Sequence, residues 1–253
     1  MSSLSERLGV LESLIIRCAT NSLLRDDLLN LSESIKASVL SRIPADDVRA
    51  SFESFITCVK NCSVKYDEFA VFISRLKNII SSLDSLIPLG LKSRSDLVII
   101  RREILDSLSV ASERFKQSFP GESLFDTTDT HIFIVGSRAR GFSRDGKWLF
   151  SPGRDVDLLV VGEGIFFSEL SYMHLKGLND VARKAERRGY VEGFDRRFIP
   201  PGMRRAAEKI RELFDRNTSF SVGGSPGVVV NIHIGRISSE KVQKEIPFAI
   251  ECV

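Results

Sequence analysis

This chain has no paired cysteine motif. Its four cysteines, Cys18, Cys58, Cys62 and Cys252, form no Cys-x-x-Cys pair and no Cys/His group with zinc-finger spacing. A disulfide framework and a structural zinc site are thereby excluded. Cys58 and Cys62 lie four apart in a helical pattern and are expected to share a helix face as small, buried side chains. No apolar run reaches the length of a membrane span. Met1 to Leu14 lacks the basic start and apolar core of a secretion signal. Neither sign of charge dominates. The formal net charge is only +3, so bulk charge announces no polyanionic partner. These absences point to a cytoplasmic protein of ordinary globular composition, with 253 residues to fill one large domain or two modest ones.

What is present first is helix. Leu4, Leu8, Leu11, Leu14 and Ile15, then Leu24, Leu28, Leu31, Ile35 and Val39, recur at helical spacing up to Pro44. Asp46-Asp47 starts a helix with Val48, Phe52, Phe55, Ile56 and Val59 on one face. A third carries Phe69, Phe72, Ile73, Leu76, Ile79, Ile80 and Leu83 and stops before Pro88. A fourth spans Ser95 to Phe119. Four amphipathic helices with short connections predict a helical bundle over residues 1–119, and it contains no catalytic constellation.

The pattern changes over residues 120–253. Pro120-Gly121 and the polar Asp126 to Asp129 read as a linker. His131 to Val135 is a β-branched run ending at Gly136, and Asp155 to Val161 is a second strand. Between them lies a loop rich in Gly, Arg and Ser. Phe167 to Arg188 reads as one helix, Tyr190 to Ile199 as extended, and Pro201 to Arg216 as another helix. Val228 to Ile234 is a third strand, and Ile246 to Val253 offers a fourth. The fold class expected is α+β: a helical bundle, then a domain with a small mixed sheet flanked by helices.

Two features here carry chemistry. Asp155 and Asp157 are two apart on a strand, so both carboxylates face the same way. They repel each other and resist burial. A divalent cation relieves that repulsion, and Mg²⁺ is commonly held by one or two carboxylates plus substrate phosphates. The second feature is the turn after the first strand. Gly136 permits a sharp bend, Ser137 offers a hydroxyl and a backbone N–H, and Arg138 and Arg140 offer forked donors. Such a loop can cradle phosphate.

Gly136-Ser137-Arg138-Ala139-Arg140-Gly141, followed by Arg154-Asp155-Val156-Asp157-Leu158-Leu159-Val160, resembles the polymerase-beta-like nucleotidyltransferase superfamily, in particular its minimal and oligoadenylate-synthetase-like members. The resemblance implies that Gly136 and Ser137 contact the triphosphate, that Asp155 and Asp157 ligate Mg²⁺ or Mn²⁺, and that a nucleoside monophosphate moves from a nucleoside triphosphate to an acceptor with pyrophosphate leaving. The stretch from Gly141 to Arg154 is longer than in the smallest members, and its Lys147, Arg154 and Trp148 could reach a nucleotide or acceptor. The superfamily also carries a third carboxylate on a later strand. The strand Val228 to Ile234 offers Asn231 and His233 there, and the last strand offers Glu251, which is the expected third acid. His233, a lone histidine on an alternating strand, is expected to be a hydrogen-bonded structural residue.

A basic stretch from Lys176 to Arg216 includes Arg183, Lys184, Arg187, Arg188, Arg196, Arg197, Arg204, Arg205, Lys209 and Arg211. It reads equally as a solvated face or as a track for RNA. RNA, including tRNA, is the acceptor slightly favoured; protein or small-molecule acceptors remain open, and by analogy alone a toxin or other conflict role. Two further readings stand beside transfer. One is a nucleotidyltransferase scaffold that binds or regulates without catalysis. The other makes the helical domain a dock for a protein partner.

Overall fold

Apolar residues three and four apart are expected to form helices, and they do so throughout the first part of the chain. The computed structural model describes residues 3–19, 22–61, 66–118, 127–150, 155–193, 203–215 and 228–253. Helix α1 (Leu4–Cys18) opens with a capping box. Glu6 N–H donates to Ser3 Oγ at 3.1 Å, and Ser3 N–H donates to the Glu6 carboxylate at 2.7 Å, which satisfies two orphan donors of the first turn. Helices α2 (Arg25–Arg42), α3 (Asp46–Lys60), α4 (Tyr66–Asp84) and α5 (Ser95–Ser118) follow. The run expected as one helix up to Val39 is thus two, separated by a 3₁₀ turn at Ser22–Leu24. Cys62 lies outside the described residues, so its pairing with Cys58 on a helix face does too.

The chain divides into two compact units, and neither is continuous in sequence. The first comprises Met1–Leu89 and Arg140–Ser151. In it α1 packs on α4 and α2, and α2 on α3, around Leu8, Leu11, Ile15, Ile35, Phe52, Ile73, Leu76 and Ile79, all buried. The segment from residue 140 to 150 folds back on itself with a bridge between Phe142 and Leu149, and it fastens to these helices. Leu149 N–H donates to the Asp47 carboxylate at 2.8 Å, and Arg75 donates to the Phe150 carbonyl. Gly141 has φ +86, and a Cβ there would come within 2.8 Å of Leu83. Its glycine serves this close approach rather than a phosphate.

The second unit comprises Gly90–Ala139 and Pro152–Val253. Helix α5 belongs to it, not to the helical bundle expected over 1–119. The apolar stripe of α5 (Leu97, Ile100, Ile104, Leu108, Phe115) is buried, and α5 packs along α9 (Arg204–Asp215), which buries Ala206, Ala207, Ile210 and Phe214. The sheet is mixed, in the order β3-β4-β2-β1-β5. Strand β1 (His131–Val135) pairs antiparallel with β2 (Val156–Val161), and β2 pairs parallel with β4 (Val230–Gly235). The short strands β3 (Tyr190–Val191) and β5 (Ile250–Glu251) form the edges. A one-turn helix α6 (Ser137–Arg140) follows β1. The helix expected over 167–188 is α7 (Glu163–Leu175) and α8 (Asn179–Arg188), parted at Gly177 with φ +74. Helix α10 (Glu240–Glu245) lies between β4 and β5, and of the strand expected over Ile246 to Val253 only Ile250–Glu251 is strand, after a 3₁₀ turn at Ile246–Phe248.

Alternation assigns the two faces of the sheet. Ile132, Ile134, Val156, Leu158, Val160, Val230, Ile232 and Ile234 make one face wholly apolar and buried, and α7 and α9 pack on β4. The other face is divided. Val135, Leu159 and Val161 join Tyr190 and Val242 in an apolar cluster, while Asp157, Asn231 and His233 occupy neighbouring positions on β2 and β4. The architecture is mixed α+β. Among the described residues no helix is long and apolar enough to cross a membrane.

Candidate functional site

Asp155 immediately precedes β2, and Asp157 is its second residue. Two strands converge on them. The antiparallel register sets Val135 opposite Asp157, so the turn that follows β1 lies beside the acid. Gly136 takes φ +73, and a Cβ at this position would stand 2.6 Å from Asp157 Oδ2. Both the left-handed backbone and the approach of the carboxylate require glycine here. The parallel register sets Asn231 opposite Asp157. Its Nδ2 donates to Asp157 Oδ1 at 2.9 Å and to Asp155 Oδ2 at 3.3 Å. One amide group thus bridges both carboxylates and softens their repulsion.

The two acids differ in surroundings. Asp155 is exposed, whereas the Asp157 side chain retains one-third of its exposure (33%). Burial, the largest influence, would raise the Asp157 carboxyl, but His233, Asn231 and the Arg138 charge together outweigh it and hold it below the usual carboxylate range. Asp157 is therefore an ionised, oriented oxygen donor at neutral pH.

Arg138, expected to offer a forked donor to phosphate, is buried. Only 3% of it is exposed. Its guanidinium lies 4.9 Å over the Phe214 ring and touches the position where a Gly90 Cβ would be. Its Nε donates to the Asp155 carbonyl at 3.3 Å, bracing the backbone that leads into β2. Burial pushes its pKa down to about 10 against the pull of Asp157, Asp155 and Asp215, so it stays charged at neutral pH. It is an internal counter-charge to the acid pair.

No family model, curated protein or solved structure matches this chain.

Of the other residues expected at the site, Ser137 follows Gly136 directly and is partly exposed. Arg140 and Lys147 belong to the other compact unit, where the Lys147 carbonyl accepts from Asp47 N–H at 3.0 Å. Arg154 lies outside the described residues. Glu251 is not the third acid beside the pair. It sits on β5, opposite Phe133, with β1 between it and β2. Strand spacing and a two-residue offset put its Cα on the order of 12 Å from that of Asp157. Its carboxylate instead meets His131 Nδ1 at 2.8 Å. The neighbour of the acids is Asn231, one of the two residues that the strand Val228 to Ile234 offered at this place.

The donor set suits a hard divalent cation: two carboxylates at the start of a central strand, one of them against a glycine bend that a methyl group would fill. Among the described residues no group of three or more His, Cys, Asp or Glu is arranged to hold a metal. A cation seated at Asp155 and Asp157 would need ligands from a substrate, as triphosphate oxygens can provide.

Proposed function

We infer that the C-terminal unit is a metal-dependent nucleotidyltransferase, moving a nucleoside monophosphate from a nucleoside triphosphate to an acceptor hydroxyl with release of pyrophosphate. One observation carries this: Asp155 and Asp157 lie side by side with Asp157 Oδ2 against Gly136, the bend that opens the Gly-Ser turn. The sequence resemblance to the polymerase-beta-like superfamily supports the same reading. When bound, Mg²⁺ or Mn²⁺ would neutralise phosphate charge and stabilise the attacking and leaving oxygens. Asp155 and Asp157 would hold it. Gly136 would let the backbone approach a phosphate closely, and Ser137 would donate its hydroxyl and N–H to it. Arg138 keeps the backbone of Asp155 in place. RNA, including tRNA, is the acceptor class favoured slightly, because Arg183, Lys184, Arg187 and Arg188 share the surface of α8. The setting proposed is the cytoplasm.

A second reading is favoured by Asn231. An amide cannot accept a proton from an acceptor hydroxyl, so a site with Asn231 beside the acid pair fits nucleotide binding without transfer. Incubating the full chain with each α-³²P-labelled nucleoside triphosphate, Mg²⁺ or Mn²⁺ and cell extract separates the two. Transfer is expected to label an acceptor and release pyrophosphate, and Asp155→Ala and Asp157→Ala are each expected to reduce it at least a hundredfold, about 2.7 kcal/mol of barrier. Transfer retained in either variant overturns the mechanism. Nucleotide binding with no pyrophosphate under any condition supports the binding protein instead.

A further inference from the structure

His233 is a buried ring beside the acid pair. It lies on β4 two residues beyond Asn231, on the same face, with a side chain only 8% exposed. Its partner in register on β2 is Leu159, a member of the apolar cluster, so packing alone is met at this level of the sheet by an aliphatic side chain. A histidine here instead makes directional contacts on three sides. Gly193 N–H donates to Nδ1 at 3.1 Å. A nitrogen that accepts cannot carry a proton, so the neutral ring bears its hydrogen on Nε2. Tyr190 stacks against the ring at 5.5 Å with 25° between planes, and the Lys241 ammonium covers the Tyr190 ring at 4.1 Å. The hydrogen-bearing Nε2 faces Asp157 Oδ1 at 3.9 Å, longer than a direct hydrogen bond.

The two oxygens of Asp157 are thereby made unequal. Oδ1 receives the Asn231 amide and faces His233, while Oδ2 is turned toward Gly136. We propose that His233 is a positioning residue: anchored by Gly193 and Tyr190, it aims an N–H at Asp157 Oδ1 and so presents Oδ2 toward the Gly-Ser turn for a divalent cation. The proposal rests on Asp157 being a cation ligand. The donor acts by orienting the carboxylate, as outer partners of metal ligands do, whose loss commonly costs tenfold or more in metal affinity.

The test is Mn²⁺ binding to the full chain, measured by electron paramagnetic resonance with Mn²⁺ alone, alongside thermal melts. His233→Leu copies the aliphatic neighbour and removes the donor; it is expected to bind Mn²⁺ about tenfold more weakly while melting cooperatively. His233→Gln, whose amide can return an N–H near the Nε2 position, is expected to restore affinity close to that of the unaltered chain. If His233→Leu fails to fold, His233→Asn takes its place, since its amide stops short of Asp157. Unchanged affinity in the donor-less variant overturns the proposal and leaves the cation reading standing. Equal weakening in His233→Gln and the donor-less variant also overturns it, because the ring's shape would then be what matters. An unaltered chain that binds no Mn²⁺ overturns the cation reading and the proposal together.

Discussion

Glu169 lies on α7 with none of its surface exposed, and neither carboxyl oxygen has a hydrogen-bond partner among the described residues. Burial raises its pKa well above the ordinary glutamate value of 4.5, because the charged form would lose its water. The folded chain then holds a proton that the unfolded chain releases above pH 4.5. The stabilising side of this linkage is complete below the unfolded value and is lost as pH rises toward the folded one, at about 1.4 kcal/mol per pH unit. Even protonated, an unpaired buried carboxyl costs about 1–3 kcal/mol. Glu169→Met, similar in volume and apolar, is therefore expected to stabilise the protein by about that amount at neutral pH and to flatten its pH dependence. Urea denaturation at pH 5, 6, 7 and 8 measures both. A variant no more stable than the parent at pH 7 would mean that the carboxyl has a partner after all.

At the scale of elements, the placement of β5 decides what Glu251 can do. An edge strand separated from β2 by β1 cannot bring its carboxylate to Asp157, and Glu251 is engaged with His131. Glu251→Gln is accordingly expected to leave nucleotide transfer and Mn²⁺ affinity within about twofold of the parent, with at most the ~0–1 kcal/mol of an exposed ion pair lost from stability. A hundredfold fall in transfer would restore Glu251 to the chemistry. The strands flanking the acids were legible in sequence. His131 to Val135 is strand for its whole length, and Asp155 and Asp157 stay on one side because alternation is local. Which later strand lies beside them was not legible, since strand order is set by tertiary packing. The parallel register of β4 alone brings Asn231 to the pair. Arg138 misled for a related reason. A forked donor after a glycine turn looks exposed until Phe214, some 75 residues on, is seen beneath it.

For the molecule as a whole, the dividing line expected at residue 119 cuts away a helix that the second unit needs. Leu97, Ile100, Ile104, Leu108 and Phe115 are buried on α5, and each such side chain contributes about 1.5–3 kcal/mol when removed from water. Their loss compares with the ~5–15 kcal/mol that holds a whole domain together. A fragment of residues 120–253 is therefore expected to aggregate or melt without cooperativity, and one of residues 90–253 to show a sharper transition by circular dichroism. Equal behaviour of the two would refute the assignment of α5. The first unit has its own discontinuity, with residues 140–151 supplying Leu149 and Phe150 from beyond the first strand of its neighbour. A ribosome makes the chain from its N-terminus, so the early helices emerge long before their last piece does. They must wait, with Ile79 and Leu83 lacking the Gly141 backbone that later lies against them, until the part of the sheet domain before residue 140 has been translated.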